Sequence, residues 1–223
     1  MTPVNESDVR KPILPFIIYL VLFIGIWIVW VLAIYPALVT LGECSLAYAL
    51  ANNALRLVIW VVPVFLYLKY IDHVNPISYL RLRHNLNLGI VVGLTFILLD
   101  FLLSAGANGG IPMFNWDVVT WNSVIGTSFL VGFVEEVPFR GFVLQKLQER
   151  MSFWPANILS SLLFLLIHFP GWIFLHLLNA RTVISVFVLG LLMAVLCRHT
   201  RSLWSSIIAH SGNDFISFVI FHH

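Results

Sequence analysis

Ionisable side chains are few in this sequence, and several of them interrupt long apolar segments. The densest group is EEVPFR at residues 135–140. Glu136 and Arg140 are four residues apart, so on a helix they share a face and can pair, which lowers the cost of burying either charge. Glu135 points about 100° away from that face, and this spacing gives it no partner. A carboxylate left unpaired among apolar groups is suited to act as a general base, and Pro138 can open the helix beside it.

Two histidines lie in apolar segments further along the chain. His168 ends the run FLLIH, and His210 begins HSGND, in which Asp214 shares its helix face and Asn213 lies close by. Two imidazoles near a glutamate can polarise a water molecule, and a His or Asn donor can stabilise the oxyanion formed when that water attacks a carbonyl. The three groups together predict a hydrolytic site, although each alone is also explained by hydrogen bonding between helices.

The composition indicates that these segments lie in a membrane. The chain has 223 residues, of which 60% are hydrophobic and 10% charged, whereas a soluble domain has about 25% charged residues. Apolar stretches of about 20 residues, the length that crosses the hydrocarbon core, recur with short connections. We predict an all-α polytopic transmembrane bundle of about seven spans, with eight as the alternative count, and the polar site within the membrane. The predicted spans are residues 13–35, 46–71, 88–105, 118–147, 155–175, 182–197 and 203–221.

Charge and cysteine content narrow the function classes. The formal net charge of +2 comes without any basic run, which argues against nucleic acid as a partner. Cys44 and Cys197 are far apart and have no metal-ligand spacing, so we interpret them as packing residues. The first apolar run is too long for a signal peptide and lacks a cleavage site of small residues, so we expect it to be retained.

The basic residues predict the orientation in the cell membrane, because positively charged short loops stay in the cytoplasm. With seven spans, Arg181 is alone on one side of the membrane. The opposite side holds Arg10, Lys11, Lys69, Arg81, Arg83, Lys146, Arg150, Arg198 and Arg201. We therefore expect the N-terminus in the cytoplasm and the C-terminus outside. Arg56 and Asp100 fall within spans two and three, and we predict a structural ion pair between them.

Three patterns resemble those of a known family. They are EExxxR from Glu135 to Arg140, FxxxH from Phe164 to His168, and HxxxN/D from His210 to Asp214. In this order and on separate helices, they resemble the CPBP or ABI family of CAAX-protease and bacteriocin-processing intramembrane endopeptidases. The resemblance covers residues 118–221 as a catalytic core, whereas the N-terminal helices of residues 1–117 match nothing specific.

The resemblance implies hydrolysis of a peptide bond by a glutamate-activated water molecule, in a peptide or membrane-protein substrate. Glu135 would be the base and His168 would help to bind the water. Glu136 with Arg140 would brace the site, while His210 and Asp214 would stabilise the oxyanion. The eukaryotic branch typically has Asn at the last position, so Asp214 is a departure, and the amide of Asn213 could replace it as a donor.

The sequence leaves alternatives open for the cofactor, the function and the substrate. We favour a site without a cofactor, but Zn²⁺ held by Glu135, His168 and His210 is the alternative. A bacteriocin self-immunity protein that binds rather than cleaves is a second function, and a proton-coupled transporter is a weaker third because no repeated half is visible. The resemblance implies prenylated C-terminal peptides for the eukaryotic and some archaeal relatives, and leader peptides, pheromones or membrane-protein segments for the bacterial ones. The sequence does not choose among these substrates, nor does it give the oligomeric state.

Overall fold

The computed structural model describes residues 12–107, 109–110, 116 and 119–221. The structure is 81% helix, and its described part contains no strand, which confirms the all-α prediction. Arg10 and Lys11, on which the predicted orientation partly depends, lie outside the described residues, as does Val118, the predicted start of the fourth span and of the catalytic core.

The helices follow the predicted apolar segments closely. They are α1 (Leu14–Val39), α2 (Leu46–Tyr70), the short α3 (Pro76–Tyr79), α4 (Leu86–Ala107), α5 (residues 123–148), α6 (Phe153–Leu166), α7 (Phe169–Phe174), α8 (Ala180–Thr200) and α9 (residues 204–220). Within the described chain, five helical segments are long and apolar enough to cross a membrane: α1, α2, α4, α8 and the α6–α7 segment Phe153–Phe174. The polytopic helical bundle is confirmed. The two remaining predicted spans, α5 and α9, are helical but carry the polar residues of the site.

Wide π-helical turns interrupt four of these helices. They occupy Trp30–Ile34 in α1, Leu57–Val61 in α2, Ser123–Leu130 and Val137–Val143 in α5, and Ile216–Ile220 in α9. Pro36 and Pro63 follow the first two, and Pro138 lies in the fourth. Proline has no N–H to donate, and a wide turn accommodates that missing bond without ending the helix. Arg56 and Glu136 each directly precede a wide turn, so the sequence places backbone irregularity beside the charged groups.

Aromatic rings hold α5 between α1, α2 and α6. The ring of Phe23 meets Trp60 edge to face at 5.2 Å, and that of Tyr19 meets Phe142 in the same way at 4.9 Å. Phe139 contacts Phe164 of α6 at 5.2 Å. Edge-to-face contacts match the positive edge of one ring to the negative face of the next, which adds to the energy of packing. This aromatic core fixes the rotation of the helix that carries Glu135 and Glu136.

Glycines allow α9 to lie close to α4 and α5. A Cβ atom at Gly93 would lie 2.8 Å from the Cβ of Ile208, and one at Gly132 would overlap the carbonyl oxygen of Ile207. The backbone N–H of Gly132 also donates to Ser211 Oγ at 3.3 Å. Small residues permit such close helix approach in membrane bundles. The contact brings the middle of α9, with His210, against the middle of α5.

Candidate active site

Glu136 is the fixed centre of the polar cluster. Its side chain is fully buried, and its Oε1 accepts a hydrogen bond from Arg140 Nη1 at 2.8 Å. The guanidinium of Arg140 lies over the ring of Phe164, with Cζ 4.1 Å from the ring centroid. The ion pair predicted from the four-residue spacing is thus confirmed. The same Oε1 lies 2.8 Å from His210 Nδ1, so one carboxylate joins α5 to α9.

Glu135 is not unpaired, contrary to the sequence-based expectation. Arg56 Nη2 of α2 donates to its Oε1 at 2.9 Å, and both side chains are largely buried. The two residues are 79 positions apart, so helix periodicity could not reveal the contact. The other carboxylate oxygen, Oε2, faces away from Arg56 towards two imidazoles. Glu135 therefore combines one oxygen held by a cation with one oxygen turned to the histidines.

The two imidazoles present their Nε2 atoms to Glu135. Each Nε2, of His168 and of His210, lies 3.9 Å from Glu135 Oε2. His168 Nδ1 lies 2.7 Å from the carbonyl oxygen of Phe164, which can only accept, so Nδ1 carries the hydrogen. His210 Nδ1 carries a hydrogen for the same reason, because its partner is a carboxylate oxygen. In the neutral form of each ring, Nε2 therefore has its lone pair directed at the space beside Glu135.

Asp214 and Asn213 complete the cluster from α9. Asp214 Oδ1 lies 3.9 Å from His210 Nε2, and Asn213 Nδ2 donates to the same Oδ1 at 3.2 Å. The side chain of Asp214 is 18% exposed, whereas that of His210 is 4% exposed. The predicted residues Glu135, Glu136, Arg140, His168, His210, Asn213 and Asp214 are thus all brought to one place.

A cavity of about 410 Å³ opens onto this cluster. Its polar wall contains Glu135, His168, His210 and Asp214, and its apolar side chains come from α6, α7, α8 and α9. Trp172 of α7 also lines it, with its ring 5.3 Å from that of His168. A cavity with an apolar wall and a few convergent polar groups is the usual form of a binding site for a small or extended substrate. Trp172 was not predicted to lie at the site.

Three asparagines join α2 to α5 on the side of Arg56. The Nδ2 atoms of Asn52 and Asn53 donate to Asn122 Oδ1 at 3.0 and 3.1 Å. All three lie within two turns of Arg56 or at the start of α5, so they help to fix the distance between Arg56 and Glu135. These three asparagines were not predicted as part of the site. The signal was present, because adjacent asparagines inside an apolar span require partners.

The predicted pair between Arg56 and Asp100 is wrong. Arg56 is paired with Glu135, whereas Asp100 Oδ2 is buried without a hydrogen-bond partner in the described part of the chain. The helices explain the error, since α4 packs on α9 and α8 rather than on α2. Two ionisable residues at similar depth need not face each other in a bundle.

The donor atoms have the right chemistry for zinc but not the spacing. Ligands about 2.0–2.1 Å from a tetrahedral zinc lie about 3.4 Å apart. Glu135 Oε2 lies 3.9 Å from each Nε2. Within the described residues, no group of three or more His, Cys, Asp or Glu side chains is arranged to hold a metal ion. The side chains as placed do not fit Zn²⁺ held by Glu135, His168 and His210.

Fold and site together define a multi-pass membrane protein with carboxylates, guanidinium groups and imidazoles converging inside its helical bundle. Residues 117–216 match the family model described as Rce1-like, type II CAAX prenyl endopeptidase. This part of the chain matches the CPBP, or CAAX protease, family, which is a family of membrane proteases. All seven predicted site residues lie within the matched segment. No match was found among the curated proteins or among the solved structures.

Proposed function

We propose that the protein is an intramembrane endopeptidase in which Glu135 activates a water molecule for attack on a peptide bond. The observation that carries the proposal is the position of Glu135 Oε2, 3.9 Å from both Nε2 atoms. This separation is too long for a direct hydrogen bond but suits a shared water molecule. If a water oxygen lies about 2.8 Å from both Oε2 and one Nε2, the angle Oε2–O–Nε2 at that oxygen is about 90°.

The two carboxylate oxygens of Glu135 would have different roles. Oε1 is held by Arg56, which neutralises the carboxylate and fixes its plane, while Oε2 is left to take a proton from the water. The resulting hydroxide attacks the carbonyl carbon, and the C–O bond that forms pushes the carbonyl electrons onto oxygen. When the tetrahedral intermediate collapses, the proton on Glu135 passes to the leaving nitrogen and the C–N bond breaks. Glu135 serves first as base and then as acid.

His210 and its neighbours would stabilise the oxyanion. Because Nδ1–H of His210 is directed at Glu136, Nε2 can donate only if the ring carries two hydrogens. The carboxylates of Glu136 and Asp214 lie on the two sides of the ring and would balance that charge. The amide of Asn213 is a second donor beside Asp214. Donors fixed in a site with little water stabilise developing charge strongly, because they need no reorganisation.

Peptide hydrolysis can be tested without knowing the natural substrate. The purified protein, reconstituted in lipid vesicles, is incubated with a proteome-derived peptide library in water enriched in oxygen-18. We expect new peptide termini that require the protein, with oxygen-18 in the new C-terminal carboxylates, read by mass spectrometry. A protein that acts only by binding, such as an immunity factor, would give no new termini, and that result would overturn the proposal.

Arg56 is expected to act as a positioning residue. Arg56→Met should lower kcat by about tenfold to hundredfold, the usual value of one hydrogen bond to a charged group, and leave KM nearly unchanged, because Arg56 contacts Glu135 rather than the cavity. Arg56→Lys should restore part of kcat. The exposed Arg83→Met serves as the matched control. A raised KM at normal kcat would contradict this role.

We also propose that hydrolysis needs no metal ion, in line with the 3.9 Å spacing between Glu135 Oε2 and each Nε2. Peptide cleavage by the purified protein should persist, within about twofold, after dialysis against a zinc chelator. Residual metal would be measured in the same sample by mass spectrometry. Loss of cleavage with the chelator and its return with added Zn²⁺ would show that a zinc enzyme is at work.

The N-terminus is proposed to face the cytoplasm and the C-terminus the outside, from the distribution of basic loops. Alkaline phosphatase, which is active only outside the cytoplasm, should be active when fused after His223. Green fluorescent protein fused at the same place should not fluoresce after export through the general secretory pathway. If the green fluorescent protein fusion fluoresces and the phosphatase fusion is inactive, the orientation is the opposite of the one proposed.

A further inference from the structure

A groove between α4 and α8 adjoins the active-site cavity. It has a volume of about 530 Å³, with walls formed mainly by apolar side chains of these two helices. Ser185, Leu189 and Asn213 line both the groove and the active-site cavity. Asn213 is also the residue that donates to Asp214. The groove therefore leads to the polar cluster rather than to a separate part of the bundle.

The rim of the groove faces the surroundings of the bundle. Leu99 and Leu103 of α4 are 54% and 73% exposed, and Ile184 and Val188 of α8 are 62% and 44% exposed. In a helix that crosses the membrane, such exposed apolar side chains contact lipid. A substrate that is itself in the membrane can therefore reach the site sideways, without passing through water.

Among the described residues that line this groove, Asp100 is the one that is ionisable. Its Oδ2 is buried and has no hydrogen-bond partner among the residues that the structure describes. No Lys or Arg of the described chain lies within ion-pair distance of it, and Arg181, at the exposed start of α8, is not paired with it. A carboxylate at membrane depth costs several kcal/mol unless a cation or donor satisfies it. The groove thus contains a buried acceptor that no donor of the described chain satisfies.

We propose that this groove binds the substrate and that Asp100 pairs with a Lys or Arg side chain of it. The substrate class is then an apolar membrane peptide with a basic residue close to the scissile bond. The apolar walls suit the peptide's hydrophobic side chains, and the single carboxylate suits one cation. Asp100 belongs to α4, outside the family match of residues 117–216. The preference for a basic residue in the substrate is therefore a property of this chain rather than of the matched segment. The inference rests on the proposed peptidase activity.

The test measures selectivity as well as activity. Cleavage sites from the peptide library are compared for the wild type and Asp100→Asn, and kcat/KM is then measured for paired peptides with Lys or norleucine at the preferred position. We expect the wild type to favour the Lys peptide by about tenfold to hundredfold, the range of one charge-assisted hydrogen bond. Asp100→Asn should reduce that ratio towards one while still cleaving the norleucine peptide.

Two further variants separate recognition from folding. Ser185→Lys places a cation across the groove from Asp100. The introduced Lys should pair with Asp100 in place of the substrate and so remove the preference for Lys peptides. Leu98→Asn introduces the same amide on the exposed face of α4, away from the groove lining, and should leave the preference intact. Cleavage without any preference for basic residues, or a preference unchanged in Asp100→Asn, would overturn the role of Asp100 and leave the peptidase standing. Absence of all cleavage by the wild type would instead overturn the peptidase.

Discussion

Replacing Glu135 by Gln is expected to lower the rate of peptide hydrolysis by about 10²–10⁴-fold, the usual contribution of a general base. Gln keeps the shape of the side chain, and its amide oxygen can still accept from Arg56, so α2 and α5 should stay in contact. It cannot take a proton from water. The loss should therefore appear in kcat, measured with a fluorogenic peptide derived from the library cleavage sites.

Two further variants provide the comparison for that result. Glu43→Gln makes the same change at an exposed carboxylate bonded by the hydroxyl of Tyr35, and should retain full activity. Glu135→Asp keeps the charge but draws the carboxylate back by one methylene, and should also be impaired, because a displacement of about 1 Å can cost 10²-fold. Full activity of Glu135→Gln would rule out the proposed mechanism.

Replacing Arg140 by Ala is expected to give the largest loss of stability. The side chains of Arg140 and Glu136 are 1% and 0% exposed, so the substitution leaves a buried carboxylate without its guanidinium partner, although His210 stays beside it. Breaking a buried pair by removing one partner typically costs about 3–5 kcal/mol. Unfolding of the purified protein in mixed micelles, titrated with sodium dodecyl sulphate, would measure the change. Arg83→Ala, an exposed arginine in a loop, should change stability by less than about 0.5 kcal/mol.

A double variant separates the charge from the packing. In Glu136→Gln with Arg140→Met, no uncompensated charge remains and the long side chain still covers the ring of Phe164. Most of the stability lost in Arg140→Ala should return, because an apolar replacement of both partners is often close to neutral. Peptidase activity should stay low, since His210 loses its carboxylate partner. Equal instability of the single and double variants would indicate that Arg140 acts by volume alone.

The sequence predicted those features that depend on local geometry. The pair of Glu136 and Arg140 follows from helix spacing within one segment, and the structure has it. Helix α2 was predicted at residues 46–71 and is found at Leu46–Tyr70, because hydrophobic length and flanking polar residues mark the ends of a span. Motif order also indicated that α5, α6 and α9 would meet.

The features that were missed depend on how the helices rotate against one another. Arg56 reaches Glu135 only because α2 and α5 pack in one particular orientation, which the aromatic rings and the asparagines fix. Asp100 was paired with Arg56 by depth alone, and depth carries no information about rotation. Hydropathy likewise gives the length of a helix but not the direction in which its few polar residues point.

The wide turn Leu57–Val61 places a constraint on the length of α2 as well as on its residue types. Each residue of an α-helix turns the chain by about 100°. A wide turn takes up one more residue than an ordinary turn, so the loss of one residue from this segment is absorbed when the turn closes to a regular α-helix. A further apolar residue inserted here is not absorbed in this way and would rotate Arg56 by that angle relative to the helix beyond. Such an insertion would leave composition and hydrophobicity almost unchanged and would still separate the guanidinium from Glu135. In this helix, the number of residues between the charged group and the aromatic core therefore helps to align Arg56 with Glu135.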